Sequence, residues 1–366
     1  MARRMFLLSD LFRDYLIVFL EASFIALGLL FAYVLVRHAV ASWREQRDAS
    51  LRALYQPDVD AVLAATGPDS LESAIARLAP APSRHLPQIG ALLIKPLRVA
   101  SGSPVDAARA AATRLGLVER WRKDLGAHAW WRQAEAARAL GLVRADGALR
   151  PLLECLDDAH PEVRAAAVEA LGHLGDPGCV PALLRALPDA SRHQRARVVE
   201  SIRELGPGVA HALIAHARAH PDDLATVAEL IGFTGAANAA DDLLAWSSHT
   251  DATVRAAALQ ALGSLGLDDR AYYYVLRALG DADGAVRAMA ARALGRSRRG
   301  DAAPYLAQHL GDEWLVAAHA ATALRMLGPA GERELVARQE APGLPGVLAR
   351  QMLWERRSRP EAGGPA

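Results

Sequence analysis

The sequence predicts an all-α protein built from repeated helical hairpins, and two observations carry this prediction. The 366-residue chain is 52% hydrophobic but only 5% aromatic. Its apolar residues are mostly Ala and Leu, which favour helices, whereas sheets favour β-branched and aromatic residues. In addition, VRAAAVEALGHLG at 163–175 returns as VRAAALQALGSLG at 254–266 and as VRAMAARALGRSR at 286–298. Such self-similarity is the signature of an α-solenoid.

An apolar segment follows a predicted N-terminal tail at 1–14. Tyr15–Val36 carries one charge, Glu21, and at about 1.5 Å per residue it spans roughly 33 Å, enough for a bilayer core. We therefore predict a transmembrane helix at 15–40 and a single-pass protein of the bacterial inner membrane with a cytoplasmic repeat domain. The opposite orientation stays open because arginines flank both ends, and so does a cleaved signal peptide.

Glu21, Gly28 and Ala32 fall on one stripe of this helix. Small residues four apart let a second helix approach closely, and a carboxyl group in an apolar span needs a partner or the headgroup region. The stripe is a candidate packing face for the helix of a membrane-protein partner. In the alternative interpretation, Glu21 reaches the headgroups and the small residues have no role.

Residues 41–125 predict a helical stalk and N-terminal cap. Asp69 and Glu72 have the spacing of a capping box, and Ser103 followed by Pro104 is typical of a helix start. No motif in this region suggests chemistry.

Seven repeats follow at 126–342. The helix that contains the repeated segment recurs every 29 to 32 residues. A hairpin of this length cannot bury both of its apolar faces alone, so neighbours stack into a solenoid. Residues 343–366 are predicted as a C-terminal cap and disordered tail. The predicted starts of the repeated helix are near Arg132, Val163, Gln194, Asp223, Val254, Val286 and Val316.

The repeat HPEVRAAAVEALGHLGDPGCVPALLRAL at 160–187 resembles HEAT repeats of the short bacterial, phycobilisome-lyase-like type, a resemblance that covers about 128–340. It implies a structural ladder of side-chain bonds between adjacent repeats, formed by a turn Asp and a helix-start Arg. The pairs here are Asp158/Arg164, Asp189/Arg195 and Asp281/Arg287. Leu224 and Ala317 replace the arginine in the fourth and seventh repeats, so we expect interruptions there.

Enzymatic relatives of such repeats define the alternative function. A deoxyhypusine-hydroxylase-like di-iron site would need His-Glu pairs, and the sequence has no His-Glu dipeptide. A DNA-glycosylase-like face could be assembled from Trp130, Trp131 and the arginines at 292–299, but the chain's net charge is only +1, so we expect no nucleic-acid partner. A chromophore-lyase-like activity has no catalytic residue to support it.

The isolated Cys155 and Cys179 predict neither a zinc site nor a disulfide, and we expect no cofactor and no small-molecule substrate.

We therefore predict a non-enzymatic, membrane-anchored scaffold that binds protein partners through the concave side of the solenoid. One exposed helix position per repeat would form a charged row, although solvent-facing helix positions favour Glu in any case. The sequence identifies neither the partner nor the oligomeric state. The candidate row is Arg138, Glu169, Glu200, Glu229, Gln260 and Arg292, with Thr322 in the last repeat.

Overall fold

The computed structural model describes residues 2–100, 102–187 and 191–358, with side chains described from Leu27 to Glu355 apart from Arg44. These residues form helices joined by turns, which confirms the predicted all-α repeat fold. The contacts divide the chain into one unit at 1–117 and another at 118–366.

The first unit is built on a single long helix. The C-terminal part of this helix packs against the three helices that follow it. Its buried residues recur every three or four positions, as expected for one face of a helix: Leu51, Tyr55, Val59 and Val62. The helices of this unit are α1 (Ala2–Leu63), α2 (Pro68–Leu78), α3 (Leu86–Ile94) and α4 (Ser103–Arg114).

The prediction of a membrane span at 15–40 is wrong, and the predicted inner-membrane localisation is wrong with it. Over the described part of the chain, no helix is long and apolar enough to cross a bilayer. Gly28 and Ala32 are exposed, and the side chain of Glu21 lies outside the described residues. The predicted packing of these three residues against the helix of a membrane-protein partner required the transmembrane span.

The second unit contains α5 (Leu117–Leu125), α6 (Trp130–Leu142), α7 (Leu149–Glu154), α8 (Pro161–Leu174), α9 (Val180–Arg185), α10 (Arg192–Glu204), α11 (Ala210–Ala219), α12 (Leu224–Thr234), α13 (Ala240–Trp246), α14 (Ala252–Leu265), α15 (Asp269–Arg277), α16 (Gly284–Ser297), α17 (Ala303–Gln308), α18 (Trp314–Met326), α19 (Pro329–Arg338) and α20 (Leu344–Ser358). The even-numbered helices from α6 to α18 begin within two residues of the predicted repeat starts. Each packs on the next, and together they form the repeat layer. The odd-numbered helices from α7 to α17 form a second layer, and α20 covers α18 and α19.

Successive helices of the repeat layer touch at glycine. A Cβ atom added to Gly263 of α14 would lie 2.7 Å from the Cα of Ala293 in α16, a distance at which one of the two atoms must move. Equivalent close approaches join four further pairs of helices. They are Gly141 with Ala170, Gly172 with Ser201, Gly232 with Ala261, and Gly295 with Ala323. The small residues that mark the repeats in the sequence therefore set the distance between helices.

This series of contacts is interrupted between α10 and α12. At this junction Arg203 occupies the glycine position and Leu230 the alanine position. Because neither residue permits close backbone approach, α10 and α12 approach less closely than the other successive pairs. A different contact lies nearby, where His216 Nε2 of α11 is 2.9 Å from Asp223 Oδ2 at the start of α12.

A ladder of arginines connects the later repeats. Arg255 binds both carboxylate oxygens of Asp281 in the next repeat, at 2.9 and 2.8 Å, and Arg287 binds Asp312 in the same way at 2.8 and 2.7 Å. The remaining nitrogen of each guanidinium donates to backbone carbonyls of its own turn. Arg164 makes this last bond with the carbonyl of Asp158.

In the predicted pairs Asp158/Arg164 and Asp281/Arg287, the arginine thus bonds to the backbone carbonyl of the aspartate. The carboxylate of Asp281 binds Arg255 of the preceding repeat, whereas that of Asp158 accepts from the backbone N–H of His160. Asp189 lies outside the described residues. Leu224 and Ala317 have no guanidinium group to contribute.

Substitution of Gly263 by alanine tests the glycine contacts. In an ordinary helix this change is stabilising by roughly 0.5–1 kcal/mol, but here the new methyl group would meet Ala293. We expect a lower thermal unfolding midpoint, with a loss of about 1–3 kcal/mol. The exchanged pair Gly263→Ala with Ala293→Gly removes the contact with the Cβ of Ala293 but leaves the equally close contact with its Cα, so it should recover only part of the loss. A single substitution that leaves the midpoint unchanged would contradict the close approach.

Substitution of Asp281 by asparagine tests the arginine ladder. The Arg255 and Asp281 side chains are each only 17% exposed, so loss of the charge-assisted hydrogen bonds should cost about 1.5–3 kcal/mol in urea denaturation. Asp241 provides the matched control, since it also binds an arginine, Arg270, at 2.7 Å but is 82% exposed. Asp241→Asn should have little effect. Equal losses in the two variants would argue against a special role for the buried pair.

The ladder also predicts a dependence of stability on pH. The hydrogen bond with Arg255 lowers the pKa of Asp281, and Arg287 lowers the pKa of Asp312 in the same way. A carboxylate with a depressed pKa stabilises the fold above the unfolded-state pKa of about 3.9 and loses that contribution as the pH falls. The stability difference between the wild type and Asp281→Asn should therefore be full near neutral pH and shrink below about pH 4. A difference that stays constant down to acid pH would contradict this assignment.

Candidate partner-binding surface

The packing of the repeat layer determines which side chains project from it. In α8, Ala170 contacts α6 and Gly172 contacts α10, so Glu169 projects between the two contacts, away from the second layer. The equivalent position in each repeat helix forms what we term the first row, which coincides with the row predicted from the sequence. Glu200 and Glu229 are exposed, and the other members are partly buried. The row consists of Arg138, Glu169, Glu200, Glu229, Gln260, Arg292 and Thr322.

A second row, which the sequence analysis missed, lies one helical turn further along each helix. Residues four positions apart share a helix face, so adding four to each member of the first row would have found it. Its most apolar exposed member is Phe233, which is 48% exposed. The second row consists of Leu142, His173, Glu204, Phe233, Ser264, Arg296 and Met326.

Charged side chains of the first three repeats bind one another across the helices. Arg138 Nε donates to Glu169 Oε2 at 3.3 Å, and His173 Nδ1 lies 3.1 Å from Glu204 Oε2. Glu200 binds Arg203 of its own helix. Both rows therefore contribute to one network that spans α6, α8 and α10.

The network concentrates negative charge. The pKa of Glu204 is raised, first by burial and then by the neighbouring carboxylates of Glu200 and Glu169, although His173 and Arg203 oppose this effect. Glu229 of α12 adds a further exposed carboxylate. We term these four glutamates the acidic end of the rows.

The other end of the rows is basic. Arg292 and Arg296 project from α16, and His319 lies beside them on α18, three residues before Thr322. Burial lowers the pKa of Arg296 and of His319, and the charge of Arg292 lowers both further. The Nη1 atom of Arg296 donates to Ser264 Oγ at 2.8 Å. We term Arg292 and Arg296 the basic end.

The rows thus hold their predicted members in register, but few of them touch. Arg138 and Glu169 form a direct ion pair. Among the described contacts, Glu229, Gln260 and Arg292 form no side-chain bond to one another. The first-row side chains of these three residues occupy consecutive even-numbered helices, α12, α14 and α16, so they are neighbours in an array and not members of one compact cluster.

The residues that could suggest a glycosylase-like face lie far apart in the array. Trp130 stacks on His160 with ring centroids 4.3 Å apart, at the start of α6 and α8. Arg299 follows α16 and lies over the ring of Tyr272, 3.9 Å from its centroid, while also binding Asp269. The fold therefore separates the tryptophans from the arginines.

Both cysteines of the chain are free thiols. Burial raises the pKa of Cys155 to about 11 and that of Cys179 to about 12, so both are neutral thiols near pH 7. No group of three or more His, Cys, Asp or Glu residues within 2–100, 102–187 and 191–358 is placed to hold a metal ion.

A cavity of about 420 Å³ lies between α8 and α10. Its lining includes Val168, Arg164 and Arg197.

Comparisons with known proteins agree on the type of repeat. A family model of HEAT repeats matches residues 118–203. No curated protein shows significant sequence similarity to the chain.

Several solved structures show similarity of fold at low identity. The complex of CpcE and CpcF of phycocyanin lyase from Nostoc sp. PCC7120 is 20% identical, with 65% of this chain and 94% of that chain covered and a TM-score of 0.30. Human deoxyhypusine hydroxylase in complex with glycerol is 17% identical, with 85% and 98% covered and a TM-score of 0.30. Kap121p bound to Pho4p is 15% identical, with 82% and 41% covered and a TM-score of 0.45.

Proposed function

We propose that the chain is a non-enzymatic scaffold of the HEAT-repeat type that binds a protein partner through the two rows of the repeat layer. The observation that carries this proposal is the segregation of charge along one face, with carboxylates on α8, α10 and α12 and cationic groups on α16. A solenoid offers an extended surface whose side chains are held at fixed spacing. Complementary charge on such a surface determines which partners bind and how fast they associate.

The form of the surface supports binding over catalysis. The charged side chains of the rows are exposed or paired with neighbours on the same face, except that of Arg292, which is partly buried. A catalytic site brings its polar groups together in an enclosed pocket, whereas these groups are distributed over several helices. The neutral thiols of Cys155 and Cys179 are poor nucleophiles, which also favours a binding role.

Photo-crosslinking in the host cell, combined with charge reversal, tests this function. A benzoylphenylalanine placed at Gln260 lies within the first row, and the same residue at Arg150, which is 91% exposed on α7, lies on the second layer. We expect a discrete crosslinked partner from position 260 only. Because that partner is held by charge, simultaneous replacement of Glu169, Glu200 and Glu229 by arginine should reduce the crosslink at least about tenfold.

A matched charge reversal on the other layer controls for the change in net charge. Glu154, Asp241 and Asp269 are 70%, 82% and 89% exposed on α7, α13 and α15, and their replacement by arginine should leave the crosslink intact. Circular dichroism of both triple variants verifies that they fold. Loss of the crosslink in both triple variants, or equal crosslinking from positions 260 and 150, would refute the proposed surface.

A further inference from the structure

The two rows change charge in a fixed order along the array. The acidic end occupies α8, α10 and α12. On α14 the corresponding positions carry the neutral residues Gln260 and Ser264. The basic end then begins at Arg292 of α16. Two neutral row positions on α14 therefore separate two blocks of opposite charge.

Neither block is neutralised by the rest of the described chain. Glu229 and Arg292 form no ion pair among the described residues, and the bond recorded for Arg296 is to the neutral hydroxyl of Ser264. Within the acidic end, Arg138 pairs with Glu169 and Arg203 with Glu200, and His173 lies against Glu204, so the charge left without a partner among the described residues is that of Glu229. Like charges held together on a folded surface repel one another, so each block favours a partner group of opposite charge.

The distance between the blocks follows from the packing. Adjacent helix axes are about 8–10 Å apart, and contacts at glycine lie at the short end of this range. Gly232 meets Ala261, and Gly263 meets Ala293, so both steps from α12 to α16 are of this close kind. Glu229 and Arg292 are therefore separated by roughly 16–20 Å.

The second row carries an exposed aromatic side chain between Glu204 and Arg296. This residue, Phe233, lies on α12, next to α14 in the repeat layer, and is 48% exposed. Exposed aromatic side chains at the centre of a polar surface are typical anchors in protein interfaces. The surface thus presents negative charge, an aromatic ring, neutral polar groups and positive charge in sequence.

From this order we infer that the partner binds as one polypeptide segment in which a block of Lys or Arg and a block of Asp or Glu are separated by an apolar stretch spanning roughly 16–20 Å. The segment lies across α10 to α16, its basic block against Glu200 and Glu229 and its acidic block against Arg292 and Arg296. This inference rests on the proposed function, because it specifies the chemistry of the partner at that same surface.

A designed peptide tests the inference on the full-length protein. The probe carries four lysines, a Gly/Ser spacer of about ten residues with a central leucine, and four glutamates. A flexible spacer of this length spans about 17 Å. The control peptide has the same composition with lysine and glutamate alternating. By fluorescence anisotropy at low ionic strength, we expect the block peptide to bind at least about tenfold more tightly than the alternating one.

Charge-swapped proteins make the test specific. The double variants Glu200→Arg with Glu229→Arg, and Arg292→Glu with Arg296→Glu, should each lose at least about tenfold in affinity for the block peptide. The quadruple variant reverses the polarity of the surface, so it should regain binding because the peptide can turn around. General damage to the fold cannot produce this rescue.

Two outcomes would overturn the inference. These are equal affinity for block and alternating peptides, or folded double variants with no rescue in the quadruple. If the crosslink at position 260 persists in that case, the surface binds a partner of different chemistry and the proposed function stands. If that crosslink is also absent, the proposed function fails as well.

Discussion

The close approach of successive helices at glycine is the constraint on which the repeat unit depends. At Gly141, Gly263 and Gly295, a single added methyl group would lie 2.4 to 2.7 Å from the next helix. Contact of this kind fixes both the distance between two helices and their rotation, because a helix turned by one residue would bring a side chain into the space that the glycine leaves. Side chains on the open face are therefore held in rows whether or not they bond to one another.

The interruption at Arg203 and Leu230 divides the repeat layer into two stacks. From α12 to α18 the glycine contacts are unbroken, and the pairs of Arg255 with Asp281 and Arg287 with Asp312 reinforce part of this stack. The acidic end straddles the interruption, since Glu200 and Glu204 lie before it and Glu229 lies after it. The neutral row positions of α14 and the basic end belong entirely to the continuous stack. The spacing between Phe233 and Arg292 is therefore fixed by unbroken glycine contacts.

The sequence predicted the repeat layer well because its period is imposed by packing. Glycine and alanine recur where backbones must approach, and Val163, Val254 and Val286 recur where each helix is buried. The first row followed from the same register. The second row and His319 were missed because they carry no repeated residue type, and only the helical spacing from the first row locates them.

The sequence analysis was wrong where it relied on local composition and not on the repeat period. The apolar stretch at 15–36 suggested a membrane span, but the described part of the structure has no helix that meets the requirement for one. The carboxylate of Asp281 could likewise not be assigned from spacing alone. Its six-residue distance from Arg287 points to a pair within one repeat, whereas the folded chain turns that carboxylate towards Arg255 of the preceding repeat. The direction of the bond depends on how hairpins stack, and the sequence does not contain that information locally.

The residues that hold the fold together are not those of the two rows, so the charges of the rows carry information about binding. The fold is held by the glycine contacts, the buried apolar residues and the arginine ladder, none of which requires a particular residue at position 200, 229, 292 or 296. Surface positions free of such requirements would be most stable with opposite charges interspersed, since alternation allows neighbouring helices to neutralise one another. Instead, among the described residues, Glu229 on one side of α14 and Arg292 and Arg296 on the other have no ion-pair partner, although Arg138 and Arg203 pair with carboxylates of the acidic end. A partner with the opposite arrangement of charge pairs with both groups at once.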